Sequence, residues 1–275
     1  MSNCIFGFPI YSDVGVTYTP TLSGGSWSAS LPLTNLQDRR LSKVARSTNA
    51  LAASTTFDVD LGVARAVRVV SLPKHTISSA GTIRVRGSNT AGVFTSPGYD
   101  SGTVTVWPAG ITAETSEGMN LGFVAIVPVA AVAMRYWRIE ITDTTNPAGY
   151  VDIGRLVIAA GWQPTINLAY GARIGVETDT TREVTDGGAA IYNEKPKRRT
   201  AVFTIENLPE LEAMTSPFDM MRIVGTSRQL MFVFDPADTT LMHRRSFLAV
   251  MRELSPIEFP YYGVGNVPFS LTEEL

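Results

Sequence analysis

Three stretches in which apolar and polar residues alternate constrain this 275-residue chain more than anything else in it. They are Phe57-Asp58-Val59-Asp60-Leu61-Gly62, Arg138-Ile139-Glu140-Ile141 and Tyr150-Val151-Asp152-Ile153-Gly154-Arg155-Leu156. A period of two places alternate side chains on opposite faces of an extended chain, so each stretch reads as a strand with one buried and one wet face. The length suffices for two hydrophobic cores. A hydrophobic content of 44 % with 17 % charged residues supplies enough apolar side chains for both.

Between the first two stretches lie Val67-Arg68-Val69-Val70-Ser71-Leu72, then His75-Thr76-Ile77-Ser78, then Gly81-Thr82-Ile83-Arg84-Val85-Arg86-Gly87-Ser88. A "DLG" strand, a polar turn and an "R-V-R-G-S" strand in this order resemble the discoidin-like (galactose-binding-like) jelly roll. Leu31-Pro32-Leu33-Thr34-Asn35-Leu36 and Ala45-Arg46-Ser47 resemble its entry region. The resemblance covers roughly residues 25–160. It implies a β-sandwich whose end loops bind glycans or lipids through aromatics and arginines. Trp27, Tyr99 and Trp107, with the loop Ser96-Pro97-Gly98 inside a segment Gly92–Gly102, are the residues it points to for a glycan. Indoles are highly buried on average, and packing outweighs binding for Trp27 and Trp107. Trp137 alternates with Ile139 and Ile141 and belongs to the core, and Trp162 to the domain junction. Related jelly rolls hold a structural cation, for which Asn35 and Asp38 are suitable oxygen donors; calcium takes 6–8 oxygens, so two donors define no site.

The second half reads differently. After a linker at Gly161-Trp162-Gln163-Pro164 comes a hairpin from Ile174 to Val184 and from Ala189 to Asn193, joined at Asp186-Gly187-Gly188. Asp-Gly suits the positive φ angles of a tight two-residue turn, which places one such angle at Gly187. The strand Thr200–Ile205 follows. Asn207 with Glu210 is a capping-box pattern for a short helix through Leu211 and Met214. Ser216-Pro217 opens a second helix, with proline at its first position, and Gly225 ends it. Strands resume at Gln229–Phe234, Phe247–Met251 and Val267–Glu274. The expected architecture is mainly β: an N-terminal irregular or edge segment at 1–24, a jelly roll at 25–162, and a second β-sandwich or barrel at 163–275 with one flanking helical segment and a long hairpin.

A β-sandwich with one flanking helix, an extended hairpin and a terminal "F-S-L-x-E" strand resembles the ring-forming domain of the tail tube and distal tail proteins of long-tailed phages. Phe232-Val233-Phe234-Asp235-Pro236 ahead of Arg244-Arg245-Ser246 adds to that resemblance. It implies a structural virion protein of the tail tip or baseplate, assembled in the host cytoplasm as a homo-oligomeric ring, of six copies rather than three. Its partners would be the tail tube protein, the hub and the fibre proteins. A hairpin that leaves its own sandwich can add strands to a neighbour, and identical head-to-tail contacts close into rings. The interface residues so expected lie on the arm from Arg173 to Arg199: Arg173, Glu177, Arg182, Asp186, Gly187, Gly188, Tyr192, Lys197 and Arg198.

Other function classes find little footing. A net charge of −2 gives no field toward nucleic acid. The cluster Lys195, Lys197, Arg198, Arg199 lacks interleaved aromatics and reads as a solvated or intersubunit salt-bridging face. The single cysteine, Cys4, excludes an intrachain disulfide. His75 and His243 lie in no metal-ligand spacing, and Arg244-Arg245 would disfavour protonation of His243. Nucleophile-elbow and phosphate-loop motifs are absent, and alternation accounts for Asp58, Asp60, Glu140 and Asp152 without a glycosidase pair. No enzyme, cofactor or metal is expected. The apolar run Gly122–Met134 has thirteen residues and an internal Pro128, short of the ~20 that span a bilayer; two buried strands, or a strand and a turn, are expected there. Pro9 interrupts the N-terminus before any basic-then-apolar pattern, so neither a targeting segment nor membrane insertion is expected. The competing reading is a carbohydrate-binding or adhesion protein that recognises cell-surface glycans.

Overall fold

The computed structural model describes residues 2–15, 17–107 and 122–275. In chain order the strands are β1 (Ile5–Gly7), β2 (Thr21–Ser23), β3 (Ala45–Arg46), β4 (Phe57–Val67), β5 (Val69–Pro73), β6 (Thr82–Ser88), β7 (Tyr99–Thr105), β8 (Phe123–Ile126), β9 (Val132–Thr142) and β10 (Asp152–Ile153). They continue with β11 (Val157–Ala159), β12 (Arg173–Thr178), β13 (Thr181–Val184), β14 (Ala190–Asn193), β15 (Lys197–Pro209), β16 (Leu230–Val233), β17 (Phe247–Met251), β18 (Glu258–Tyr261) and β19 (Val264–Glu273). The helices are α1 (Ala52–Thr55), α2 (Glu210–Val224) and α3 (Met242–Arg245).

The first unit is an antiparallel β-sandwich of the jelly-roll kind. A five-stranded antiparallel sheet, β2-β4-β9-β6-β7, faces a three-stranded one, β11-β5-β8. Alternation delivers Phe57, Val59 and Leu61 from β4, Ile83 and Val85 from β6, and Trp137, Ile139 and Ile141 from β9 to one core. Three details depart from the sequence reading. Tyr99 begins β7 and does not sit in a loop. The Tyr150–Leu156 stretch contributes only the two-residue β10, paired with β3. The apolar run that follows it makes β11.

The second unit is one strongly curled sheet and not two. Its order is β1-β16-β17-β19-β15-β12, with β18 also on β19. The curl brings Phe6 of β1 within 4.8 Å of the Phe269 ring on β19 and 6.1 Å of Phe203 on β15, while Trp162 stacks on Phe6 at 5.2 Å. The strand β1 comes from the extreme N-terminal segment, so this sheet draws on both ends of the chain. A Cβ at Gly7 would meet that of Met231 at 2.8 Å, so glycine lets β1 lie against β16. The helix is also single: α2 runs unbroken through Pro217, and Asn207, at φ 58, sits in the bulge of β15 instead of capping it. Ala213, Pro217, Met220 and Val224 form its buried stripe at helical spacing. Gly225 ends it as expected.

The two units share a layer. The outer face of the three-stranded sheet carries Val69, Phe123, Ala125, Val157 and Ala159, which pack against Ile5, Met231, Val233 and Leu248. Each of these side chains other than the alanines contributes roughly 1.5–3 kcal/mol on burial. That burial fuses the two units into a common core. A Phe6→Ala substitution, which empties the centre of the aromatic cluster, is expected to lower stability by about 3–5 kcal/mol. Urea unfolding followed by far-UV circular dichroism and by tryptophan fluorescence should show one shifted transition common to both probes. Two separated transitions would sink the shared-core account.

Candidate functional site

The feature that no core explains is the arm. β12 pairs with β15 from Arg173↔Val202 to Thr178↔Lys197, and only the part of β15 from Thr200 onward is flanked on its other side by β19. Beyond that point two strands continue alone. After a break at Asp179-Thr180 and Glu194-Lys195-Pro196, β13 and β14 resume from Thr181↔Asn193 to Val184↔Ala190. From Gly171 to Arg198 no residue is buried.

The tip differs from the expected two-residue turn. The Gly188 N–H donates to the Thr185 carbonyl at 2.8 Å and the Thr185 N–H to the Ala189 carbonyl at 2.9 Å. The left-handed residue is Gly188, at φ 80, and not Gly187. Asp186-Gly187-Gly188 is therefore a three-residue loop, a type I turn closed by a left-handed glycine. Register sorts the arm's side chains. Arg182 faces Tyr192 and Val184 faces Ala190 on one side, while Glu183 faces Ile191 on the other. Val184, Ile191 and Tyr192 each stay more than half exposed.

The arm's root is fixed firmly. Arg199 is buried, its backbone N–H and Nε both donate to Glu273 at 2.9 Å, and its guanidinium also reaches the His243 and Ser246 carbonyls. This removes Arg199 from the solvated basic cluster in which the sequence places it; Lys195, Lys197 and Arg198 remain exposed. Glu177 is gripped from across the sheet by Arg252, just past β17, at 3.1 Å and by Thr272 of β19 at 3.3 Å. Arg173 stands at the start of β12, exposed. Of the expected interface residues, Arg182, Asp186, Gly187, Gly188 and Tyr192 lie together on the tip. Arg173, Glu177, Lys197 and Arg198 lie on the shaft.

The three residues singled out for a glycan do not converge on a cavity among the described residues. Trp27 packs edge-on to Phe57 and donates to the Gly24 carbonyl at 3.1 Å. Tyr99 lies against Trp137. Trp107 donates to the Ile77 carbonyl at 2.7 Å and sits between the rings of His75 and His243, at the seam of the two units. An open cleft of about 470 Å³ lies elsewhere, where Gly24, Gly25 and Thr56 meet Asp58, Arg138, Glu140 and Thr142 on the five-stranded sheet. There the outer face is a ladder of cross-strand ion pairs. Arg138 binds Asp58 at 2.7 Å, Arg86 binds Glu140, and Arg84 grips Asp100, holding that carboxyl down at about 2. Arg135 likewise lowers Asp60, and Arg46 holds Asp152 at 2.7 Å. Every carboxylate weighed for acid–base work thus has an arginine partner. Asp38 is taken up by Arg40 and Lys43, and the Asn35 amide donates to the Val44 carbonyl.

The sequence undervalues the histidines. Both are buried at the seam, and His243 Nε2 lies 3.0 Å from the Val106 carbonyl of the jelly roll. Burial drives the His75 pKa down to about 3, helped by His243, and that of His243 to about 4. The cation that opposes His243 is Arg199 rather than its sequence neighbours Arg244 and Arg245. Only the tertiary fold reveals this.

The chain matches no protein-family model and no curated protein. Among solved structures it is similar to the lectin domain of lectinolysin complexed with Lewis B antigen, at 14 % identity over 56 % of this chain and 98 % of that one, with a TM-score of 0.39. It is similar to the family 32 carbohydrate-binding module of C. perfringens NanJ in complex with galactose, at 17 % identity over 50 % and 92 %, TM-score 0.37. A chitosan-binding module from a chitosanase/glucanase of Paenibacillus sp. IK-5 follows, at 18 % identity over 55 % and 99 %, TM-score 0.36. The jelly-roll assignment itself rests on the strand order given above.

Because both histidines have folded-state pKa values below the ordinary 6.5, the unfolded chain binds their protons first as pH falls. Their neutral burial costs nothing above about pH 6.5, and stability declines below it until about pH 4 for His243 and about pH 3 for His75. The expected slope is up to about 1.4 kcal/mol per pH unit for each histidine. Urea midpoints between pH 7 and pH 4 measure it. A His243→Gln variant should flatten the slope, and an unchanged slope would refute the assignment.

Proposed function

We propose that this chain is a non-catalytic structural subunit that assembles with copies of itself through the arm, and that its fullest setting is the ring of a phage tail tip. In that setting it joins tube to hub and fibres in the virion tail, after assembly in the host cytoplasm. One observation carries the reading: a two-stranded arm, anchored at its root by the buried Arg199–Glu273 pair, holds Val184, Ile191 and Tyr192 in solvent. Isolated two-stranded hairpins are marginally stable in water, so an arm with exposed apolar side chains is best accounted for by a partner that covers it.

The turn supplies the test. A side chain at a left-handed position costs roughly 1–2 kcal/mol, so Gly188→Val should weaken self-association about 5- to 30-fold while leaving the melting temperature of the body in place. Gly187→Val, where φ is not left-handed, should do much less. Sedimentation equilibrium reads both. If the two variants assemble like the parent chain, the arm is not the assembly element.

A second reading is glycan recognition by the jelly roll. Lewis B, galactose and chitosan are the sugars associated with the three similar structures. In this chain the cleft beside Asp58, Arg138, Glu140 and Thr142 is the feature that favours it, because such side chains hydrogen-bond hydroxyls. A glycan array followed by titration calorimetry decides. Saturable sub-millimolar binding that Arg138→Ala abolishes would establish this reading, and its absence would leave the cleft as the gap beside an ion-pair ladder.

A further inference from the structure

We propose that the apolar groove between α2 and β18 is the receptor for the arm tip of a second copy of this chain. The inference rests on the reading of the arm as an assembly element and names what that arm grips.

The groove begins with the helix. Besides its buried stripe, α2 has a second apolar stripe at Leu211, Met214, Phe218 and Met221, again at helical spacing. Nothing among the described residues covers it fully: Leu211 is 79 % exposed, Phe218 45 % and Met214 42 %. Opposite stand Leu254, Ile257 and Phe259, and the two sides enclose an open groove of about 500 Å³. A continuous exposed apolar surface of this kind marks an interaction site.

Three observations select the occupant. First, the arm offers matching chemistry, because one face of its tip presents Val184, Ala190 and Tyr192 in register, with no covering element. Second, charge does not oppose the contact: the single charged side chain on that face of the paired tip is Arg182, and Arg222, the charged residue that lines the groove, is already paired with Asp219 at 3.2 Å.

Third, geometry excludes the chain's own arm. The arm leaves at the Lys197 end of β15 and α2 begins at its Pro209 end. Thirteen residues of strand separate them, about 40 Å at ~3.3 Å per residue. β18 lies at the helix end, where the Glu210 N–H donates to the Gly263 carbonyl. An arm that fills a groove must therefore belong to another copy. Arm and groove are different surfaces, so the contact is head to tail and propagates into a ring or a filament.

Mixing two variants of the full chain tests this. Tyr192→Asp spoils the arm and Phe218→Asp spoils the groove, both at exposed positions, with thermal melts as the check on folding. If Phe218→Asp melts early, Met214→Lys reads the same surface. Light scattering should find each variant monomeric alone. Their equimolar mixture should form dimers and nothing larger, because one intact arm and one intact groove remain. A groove variant that assembles like the parent while the arm variant does not would overturn the groove as receptor and leave the arm reading standing. Parent-like assembly by both variants would overturn both. A parent chain that stays monomeric at high concentration, even if its groove takes up a peptide or lipid, would also overturn the second-copy occupant.

Discussion

The structure depends on a sheet that is buried on both faces. β5, β8 and β11 send Val70, Leu72, Val124, Ile126 and Ile158 into the jelly-roll core, and their intervening residues into the seam with β1, β16 and β17. A strand covered on both sides has no wet face to encode, so its sequence becomes a short continuous apolar run. Phe123-Val124-Ala125-Ile126 and Leu230-Met231-Phe232-Val233 are such runs, facing each other's sheets across the seam. The same constraint explains why the N-terminal segment returns to the distant sheet. β16 needs a neighbour on its open edge, and Ile5-Phe6-Gly7 supplies one whose two large side chains serve the seam and the aromatic cluster respectively. Domain interfaces within a chain permit relative motion unless they are large and apolar. This one is apolar, so the arm is fixed with respect to the jelly roll as well as to its own sheet.

How much of this was legible follows the same physics. Alternation and order were enough for the jelly roll, because β4, β6 and β9 each keep one solvated face and so display period two. The long hairpin was legible for the opposite reason: its strands are rich in threonine and charge, as befits a segment outside any core. β11 escaped notice because a three-residue strand buried on both sides has no periodicity. Asn207 and Glu210 imitated a helix cap, yet the local pattern yields to the bulge that lets β15 follow the curl, and Ser216-Pro217 imitated a second start because proline is tolerated there within one helix. Asp186-Gly187 suggested a two-residue turn, but the adjacent Gly188 offers a left-handed position one residue on. The surroundings of the three residues named for a glycan depend on long-range contacts, since no local pattern tells that Trp107 lies between two histidines from different units.

Charge in this molecule is spent on strand-to-strand ladders and on a few buried anchors. On the five-stranded sheet Asp58, Asp60 and Glu140 each have an arginine across the strand. At the seam the buried Arg199–Glu273 pair behaves differently from a surface pair. Breaking it would strand a charge in a dry environment, a cost of several kcal/mol. Such a pair adds little net stability over an apolar substitute, but it fixes where the first paired residues of the arm leave the sheet. The same guanidinium bonds the His243 carbonyl, and the His243 ring faces the Val106 carbonyl, so the arm's root and the jelly roll are joined through a single short helix.

An anchored arm with an uncovered tip has a consequence for assembly. Ordering a hairpin costs backbone entropy of roughly 1–2 kcal/mol per residue, and exposed threonine-rich strands recover little of it alone. The rigid root lowers that cost by holding the first paired residues in register, much as a closed turn does at the other end. In the proposed assembly, a partner that covers the tip offsets what remains. Assembly through such an element is reversible and concentration-dependent at each junction, and it gains strength when the last junction closes a ring, because that contact joins ends already held together. In the proposed assembly, the opposed placement of arm and groove along β15 makes the contact head to tail, the arrangement from which rings close.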